Sequence, residues 1–505
     1  MKHSQSTTAL QVRPTLDEIT TWPLALRQLH LRLATCFARP EPRGHALLYL
    51  HAILSEIPRK NGWQIAEYAR LLHPYGIQRL LSRAVWDQDA VRDALRALVV
   101  STLLPPPEAD APADSTTVFP VLVLDESGFP KRGRHSAGVA PQYCGRTGRV
   151  ENCQVGVFAS YVTPLGHGLI DRELYLPEDW CADWPRRQAA HIPDTVSFAT
   201  KPALAQRLVA RAHAAQVPIR WVVADSVYGH CPTLRTFLEA QGDAYALAVP
   251  STEVVCVQTP AGPLLAAVGS IAARVLRPQD WQRLSQSLGT KGERCFDWAR
   301  LPLFQQAVVD ERHFLVFRRC LDDPNALAFY LVWAPAATPL STIVRAIGAR
   351  WHVEEDLETN KALGLAQSEV RSYVGWSRHV TLVLLAAAFL LALCVQANAP
   401  PPPTPPAAPP PPPAPLPLPL PTCRSSAAAH SLLLPTLASL PLPAPAYSRL
   451  IPLTCSEAQH LLARLCFPAS SRAALLWHWS QWRRSHQYWA SYYHRRRRAA
   501  ATSPP

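Results

Sequence analysis

Val121-Leu-Val-Leu-Asp125 and Trp221-Val-Val-Ala-Asp225 are two short apolar runs that each end in an aspartate. Uninterrupted aliphatic runs of this length suit the middle of a sheet covered on both faces. A carboxylate at the end of such a run is expected at a strand tip, where it opens onto water, because burying it further in is costly. Later in the chain Arg350, Glu354 and Lys361 stand at i, i+4 and i+11 and share one face of a predicted helix. Two strands and a helix thus deliver three acids, a donor set for hard divalent cations, which require oxygen ligands. Two such ions about 4 Å apart activate an attacking hydroxyl and stabilise a leaving oxyanion in phosphodiester chemistry. Asp125 is expected to bridge two magnesium ions, with manganese as a substitute, while Asp225 and Glu354 each close one side. Glu355 points about 100° away round the helix and Glu358 lies near the same face, so both stay open as rivals to Glu354. An i,i+4 salt-bridged surface helix is the plainer reading of this segment taken alone.

Working outward, Val118–Asp125, Gln154–Tyr161, Gly168–Tyr175, Ile219–Asp225 and Tyr245–Val249 read as strands, with a helix over Pro202–Ala214 before the fourth. Three strands followed by alternating helix and strand is the order of a ribonuclease-H-like α/β core, an order that several topologies share. Between Val249 and about Leu340 the strand-like Phe314-Leu-Val-Phe and Ala328-Phe-Tyr-Leu-Val-Trp333 suggest an all-β insertion. The predicted catalytic domain therefore runs over 116–398, with a β-rich insertion at about 250–340.

Residues 1–105 read as a small all-α domain with amphipathic helices at Glu67–Leu72, Gly76–Leu81 and Asp89–Leu98. Its loop Pro58-Arg-Lys-Asn-Gly-Trp-Gln64 offers Lys60 as a phosphate contact ahead of a helix; an ordinary basic turn is the alternative. A breaker-rich linker, Pro105–Asp114, follows. Proline, alanine and leucine dominate 399–447, which favours extended polyproline II and cannot build a core. The tail, 448–505, interleaves Trp477, Trp479, Trp482, Tyr488 and Trp489 with basic residues up to Arg498. Base stacking with phosphate attraction, and an amphipathic helix packed on the main body, account for it equally well.

At 505 residues the chain has room for two or three folded units. Its formal charge of +13 and pI near 9.3 favour a polyanionic partner, nucleic acid first and anionic lipid second. The twelve cysteines contain no C-x-x-C pair, which argues against a zinc ribbon or finger and for reduced, mostly buried thiols. The amino terminus lacks the apolar core of a secretion signal, so a cytoplasmic protein is expected. Val380–Val395 carries no charge, yet it falls short of a span of roughly 20 residues; a core helix is expected there rather than a membrane anchor. Ser127–His135, just after the first aspartate, reads as a basic turn that brings Lys131, Arg132 and Arg134 against a DNA backbone, and Tyr228 either supports the site or packs. A two-carboxylate glycosidase is formally allowed. It accounts neither for the basic bias nor for three acids spread over two strands and a helix.

Arg59-Lys-Asn-Gly-Trp-Gln, Asp125-Glu-Ser-Gly-Phe-Pro-Lys-Arg-Gly, Asn152-Cys-Gln-Val-Gly-Val, Leu174-Tyr-Leu-Pro-Glu-Asp-Trp, Ala224-Asp-Ser-Val-Tyr-Gly and Glu369-Val-Arg-Ser-Tyr-Val-Gly-Trp together resemble bacterial insertion-sequence transposases of the DDE superfamily endonuclease type. The resemblance runs from about Phe37 to Ala388. It implies a ribonuclease-H-like core with a β-rich insertion before the glutamate, magnesium dependence, and cut-and-paste cleavage and strand transfer at terminal inverted repeats. Under it Asp125, Asp225 and Glu354 form the DDE triad and bind the metal, while Arg350 and Lys361 on the helix face join Lys60, Lys131, Arg132 and Arg134, read from their own loops, as the expected DNA contacts. Related transposases carry Y-x2-R-x3-E-x6-K around the glutamate; Arg350, Glu354 and Lys361 match, and Ile347 stands at the tyrosine position. The implied partners are terminal-repeat and target DNA and, in the DNA complex, a second protomer, with no membrane and no small-molecule substrate. The implied location is cytoplasmic and nucleoid-associated. A decayed or repurposed DNA-binding protein without catalysis is the alternative.

Overall fold

The apolar runs that open the sequence become neighbouring strands of one twelve-stranded sheet in the computed structural model. It describes residues 14–104, 119–145, 147–259, 261–289, 292–305, 308–399, 452–467 and 473–502. The expected linker 105–114 and nearly all of the proline-rich 399–447 lie outside these residues.

In chain order the strands are β1 Val121–Pro130, β2 Ala140–Cys144, β3 Arg149–Thr163, β4 Gly166–Tyr175, β5 Trp221–Ala224, β6 Ala244–Val249, β7 Val254–Thr259, β8 Gly262–Ala267, β9 Gln282–Gly289, β10 Gly292–Gln305, β11 Val308–Arg319 and β12 Leu327–Trp333. β1 is central, antiparallel to β3 and parallel to β5, and β5 is parallel to β6. β4 pairs with β3. The parallel strands have no polar alternation because both faces are covered: all four residues of β5 are buried. The helix Lys201–Ala214 precedes β5 as expected. Thr200 caps it, accepting the Ala203 N–H at 3.3 Å, and Pro202 sits in the first turn, where a missing N–H costs nothing.

The insertion is not a separate sheet. β12 pairs antiparallel with β6, and β11, β10, β7 and β8 continue outward. It is also not all-β, since the helix Val268–Val275 buries Val268 and Ile271 beneath these strands.

The helix Tyr373–Asn398 contains the charge-free Val380–Val395 segment and is long and apolar enough to cross a bilayer. Most of it is buried: the amino-terminal helices Pro40–Leu54, Tyr75–Ser82 and Gln88–Leu103 pack against it, as does β4. These amino-terminal helices and the sheet share one continuous hydrophobic core. Polar residues of this helix find partners inside the fold. His379 Nδ1 lies 2.7 Å from the Tyr49 hydroxyl and its Nε2 3.1 Å from the Gly364 carbonyl oxygen. Burial drives His379 down to about 4, which keeps it neutral.

Asp171 on β4 is 1% exposed and clamps three elements together. It accepts from Arg96 at 2.8 Å and from Arg211 at 2.9 and 3.0 Å, and Arg92 lies 3.7 Å away. Burial alone would raise its carboxyl; the arginines, Arg211 foremost, hold it below the usual range.

Candidate active site

Asp125 and Asp225 arrive side by side because β1 and β5 are parallel neighbours. Their register ends with Leu124 opposite Ala224, so the next residue on each strand is an aspartate, on backbones about 4.8 Å apart. Asp225 leaves the sheet at once and accepts the Val227 N–H at 2.9 Å, capping the short helix Ser226–Gly229. Asp125 differs from the expected strand tip. β1 continues through Glu126-Ser-Gly-Phe-Pro130, pairing with β3 throughout, and the Asp125 side chain is 16% exposed. Burial, and next the charge of Asp225, push its carboxyl up to about 7. Asp225 is raised too, by burial and then by Glu126.

Glu354 lies in the helix Trp351–Ala362, which follows a separate helix Leu340–Gly348. Arg350 stands at the junction in helical conformation and donates to Glu354 at 2.8 Å, while its other terminal nitrogen lies 3.9 Å from Asp125. Burial works against the guanidinium charge, and Glu354 and Asp125 more than offset it. Arg350 thus joins the helix glutamate to the strand aspartate. Of the rivals, Glu355 faces elsewhere, against His167 and His352, and hydrogen bonding from His167 draws it down to about 2. Glu358 is exposed on the same helix.

Several expected DNA contacts sit elsewhere. Lys60 is 4% exposed, and its ammonium donates to the carbonyls of Ser55 and Ala52, the latter at 3.3 Å. It closes the loop from inside, and burial lowers it to about 8. Lys131 likewise turns inward, donating to the Ser368 carbonyl at 2.5 Å, and is lowered to about 8 by burial. Arg132 and Arg134 are exposed, but the turn bearing them follows the end of β1. Six residues of extended chain from Asp125 put it about 20 Å away. Lys361 is partly buried, seven residues or about 10.5 Å along the helix from Glu354.

Sequence reasoning missed Glu126 and Lys201. The Tyr228 hydroxyl donates to Glu126 at 2.7 Å and Lys201 pairs with it at 2.6 Å. This fastens the turn after Asp225 to the strand bearing Asp125, so Tyr228 supports the site. The local signal was the Asp-Glu pair itself, whose second acid would need a partner once β1 is read as continuing.

The tail forms a helix, Ala473–Thr502. Trp479 is buried and donates to the Leu71 carbonyl at 3.0 Å, Trp482 meets Trp63 edge-on, and Arg483 pairs with Glu67 at 2.6 Å. Farther along, Tyr488, Trp489, Tyr492 and Tyr493 are exposed. Packing and an open aromatic face therefore occupy successive parts of one helix.

The acids at the sheet offer oxygen donors only, and burial, followed by like-charge crowding, holds two of them above their ordinary values. That shortage of positive charge fits a hard divalent cation.

A profile of the DDE superfamily endonuclease family matches residues 32–299, a span that contains Asp125 and Asp225 and stops before Glu354. A probable transposase for insertion sequence element IS701 from Microchaete diplosiphon is 28% identical over 197 residues. That alignment takes in 38% of this chain and 44% of the relative, so the chain spans less than half the length of the curated protein it matches. A piggyBac transposase, solved by cryo-electron microscopy as a synaptic complex with hairpin DNA, aligns over 75% of this chain and 71% of its own at 12% identity and a TM-score of 0.35.

Proposed function

Because the chain belongs to the DDE superfamily endonucleases, we propose that it is an insertion-sequence transposase that cuts DNA at the element's terminal inverted repeats and joins the ends to target DNA. The observation that carries this reading is the meeting of two aspartates on adjacent parallel strands with an arginine that bridges to a helix glutamate. The strand order β4-β3-β1-β5-β6, three antiparallel and then two parallel, supports a ribonuclease-H-like core into which β7–β12 are inserted.

In this reading Asp125, Asp225 and Glu354 hold two magnesium ions, with manganese as a substitute. The metal supplies activation of the attacking hydroxyl and stabilisation of the leaving oxyanion. Arg350 keeps Glu354 aimed at Asp125, and Tyr228 with Glu126 and Lys201 fixes the turn that follows Asp225. Arg132 and Arg134, some 20 Å along the sheet, contact phosphates about six nucleotides from the cut, at 3.4 Å per nucleotide. Lys361 reaches nearer phosphates, and the exposed aromatics of the tail helix stack on bases. The helices of 1–105 form the repeat-recognition unit, working on 116–398 through the shared core. Two protomers pair on two DNA ends, and the protein acts in the cytoplasm on the nucleoid.

The test is strand cleavage of a labelled fragment carrying the element's end, with magnesium, by the native chain and by Glu354→Gln. Cleavage by the native chain alone, with both proteins binding the fragment, is expected. Equal cutting by both would remove Glu354 from the triad. Binding without cutting by either would favour the non-catalytic alternative.

A further inference from the structure

A second cluster lies on another face of the glutamate helix. His352 and Glu355 come from that helix and His167 from β4. His167 Nε2 lies 3.3 Å and His352 Nδ1 2.8 Å from the same Glu355 oxygen, Oε2. The two imidazoles stack with centroids 4.5 Å apart, and one ligand atom from each residue falls within 4.8 Å of the others. Tetrahedral coordination at about 2.0–2.1 Å sets ligand atoms about 3.3–3.4 Å apart. The His167–Glu355 pair already has that spacing, and the His352–Glu355 pair needs to open by only about half an ångström to reach it.

The surroundings orient the donors. His167 Nδ1 donates to Asp356 Oδ1 at 2.8 Å, and the other Asp356 oxygen accepts from the Ser160 hydroxyl. Asp356 is buried, so its hold on the ring is fixed. Without an ion His167 Nε2 donates to Glu355; giving up that proton frees the Nε2 lone pair for an ion while Nδ1 stays on Asp356. A carboxylate behind a ligating histidine sets ring orientation and basicity in this way at many metal sites. Two imidazoles and one carboxylate suit zinc or a similar borderline ion, whereas magnesium prefers oxygen alone.

We propose that His167, His352 and Glu355 bind one zinc-class divalent ion, separate from the aspartate site. The ion ties the helix carrying Glu354 to β4, one residue from the glutamate proposed for catalysis. It is a positioning device: binding displaces the internal hydrogen bonds to Glu355 and leaves a fourth position for water.

The experiment loads the full-length chain with Zn2+, removes excess by gel filtration, and measures zinc per chain; Co2+ serves as a spectroscopic substitute. The background carries Asp125→Asn, Asp225→Asn and Glu354→Gln, so that the aspartate site does not contribute. One zinc per chain and a tetrahedral Co2+ absorption band are expected, with at least a tenfold loss of affinity in His352→Gln and in the more exposed Glu355→Gln. Far-UV circular dichroism confirms that each variant is folded. The proposal is overturned if the background chain retains no zinc, or if both folded variants retain it as tightly as the background does. Neither outcome bears on the cleavage test, so the two readings fail independently.

Discussion

Replacing Asp125 with asparagine should make the metal-free protein more stable at alkaline pH, although it removes the residue most central to the proposed chemistry. The carboxyl sits at about 7 in the fold against 3.8 in the unfolded chain, through burial and then the charge of Asp225. A raised folded value stabilises fully below 3.8 and loses that contribution as pH rises through about 7. The full difference is a ceiling of about 4 kcal/mol at pH 8.5. Residual exposure and relaxation bring a realistic gain to about 2 kcal/mol, or roughly 2 °C in melting temperature for a fold of this size. The asparagine oxygen still accepts the Glu126 N–H, so the swap is nearly isosteric. The assay is thermal unfolding in EDTA at pH 8.5 and 5.5. The advantage of Asp125→Asn should fall to about half at the lower pH, and magnesium should raise the melting temperature of the native chain only. A variant no more stable than native at pH 8.5, or a gap that ignores pH, would refute the account of Asp125 as a charge held under strain.

Asp171→Asn should cost about 3–5 kcal/mol in chemical denaturation, because buried Arg96 and its neighbours lose the anion that neutralises them. Gly229→Ala should disrupt the turn after Asp225: a β-carbon there would lie 1.9 Å from the Ala248 carbonyl oxygen. A fall in melting temperature worth more than about 2 kcal/mol, with loss of cleavage, is the expected readout. Changing Arg132 and Arg134 together to alanine should lower the slope of log affinity against log salt for end-containing DNA by about 2, with cleavage retained at low salt.

The sequence disclosed the parts of the fold that rest on local pattern. Val121–Leu124 and Trp221–Ala224 are apolar without alternation, and each proved to be a buried strand delivering an aspartate. Arg350 and Glu354 met as their spacing required, even though the chain breaks into two helices just before Trp351. What escaped depends on partners distant in sequence. Glu126-Ser-Gly-Phe-Pro130 has the composition of a turn, yet pairing with β3 keeps it extended. Gly128 is needed there because a β-carbon would come within 2.6 Å of Cys144 Sγ. β2, which brings Cys144, went unseen because its own residues carry no strand pattern strong enough to stand alone. Lys60 looked like a surface contact since lysine usually is one; only the converging carbonyls of Ala52 and Ser55 make its burial tolerable. His167 and Glu355 are nearly 190 positions apart, and no local pattern announces their meeting.

β12 does more than end the insertion. A sheet that stopped at β6 would present a row of unpaired backbone donors and acceptors, a template for joining another molecule edge to edge. β12 covers that row from Tyr245 to Val249. The insertion is therefore not a detachable ornament: excising it whole would expose a sticky margin next to the strand pair that carries both aspartates. The far strand β8 pairs with β7 at the other margin, whereas β12 is the hem of the catalytic sheet.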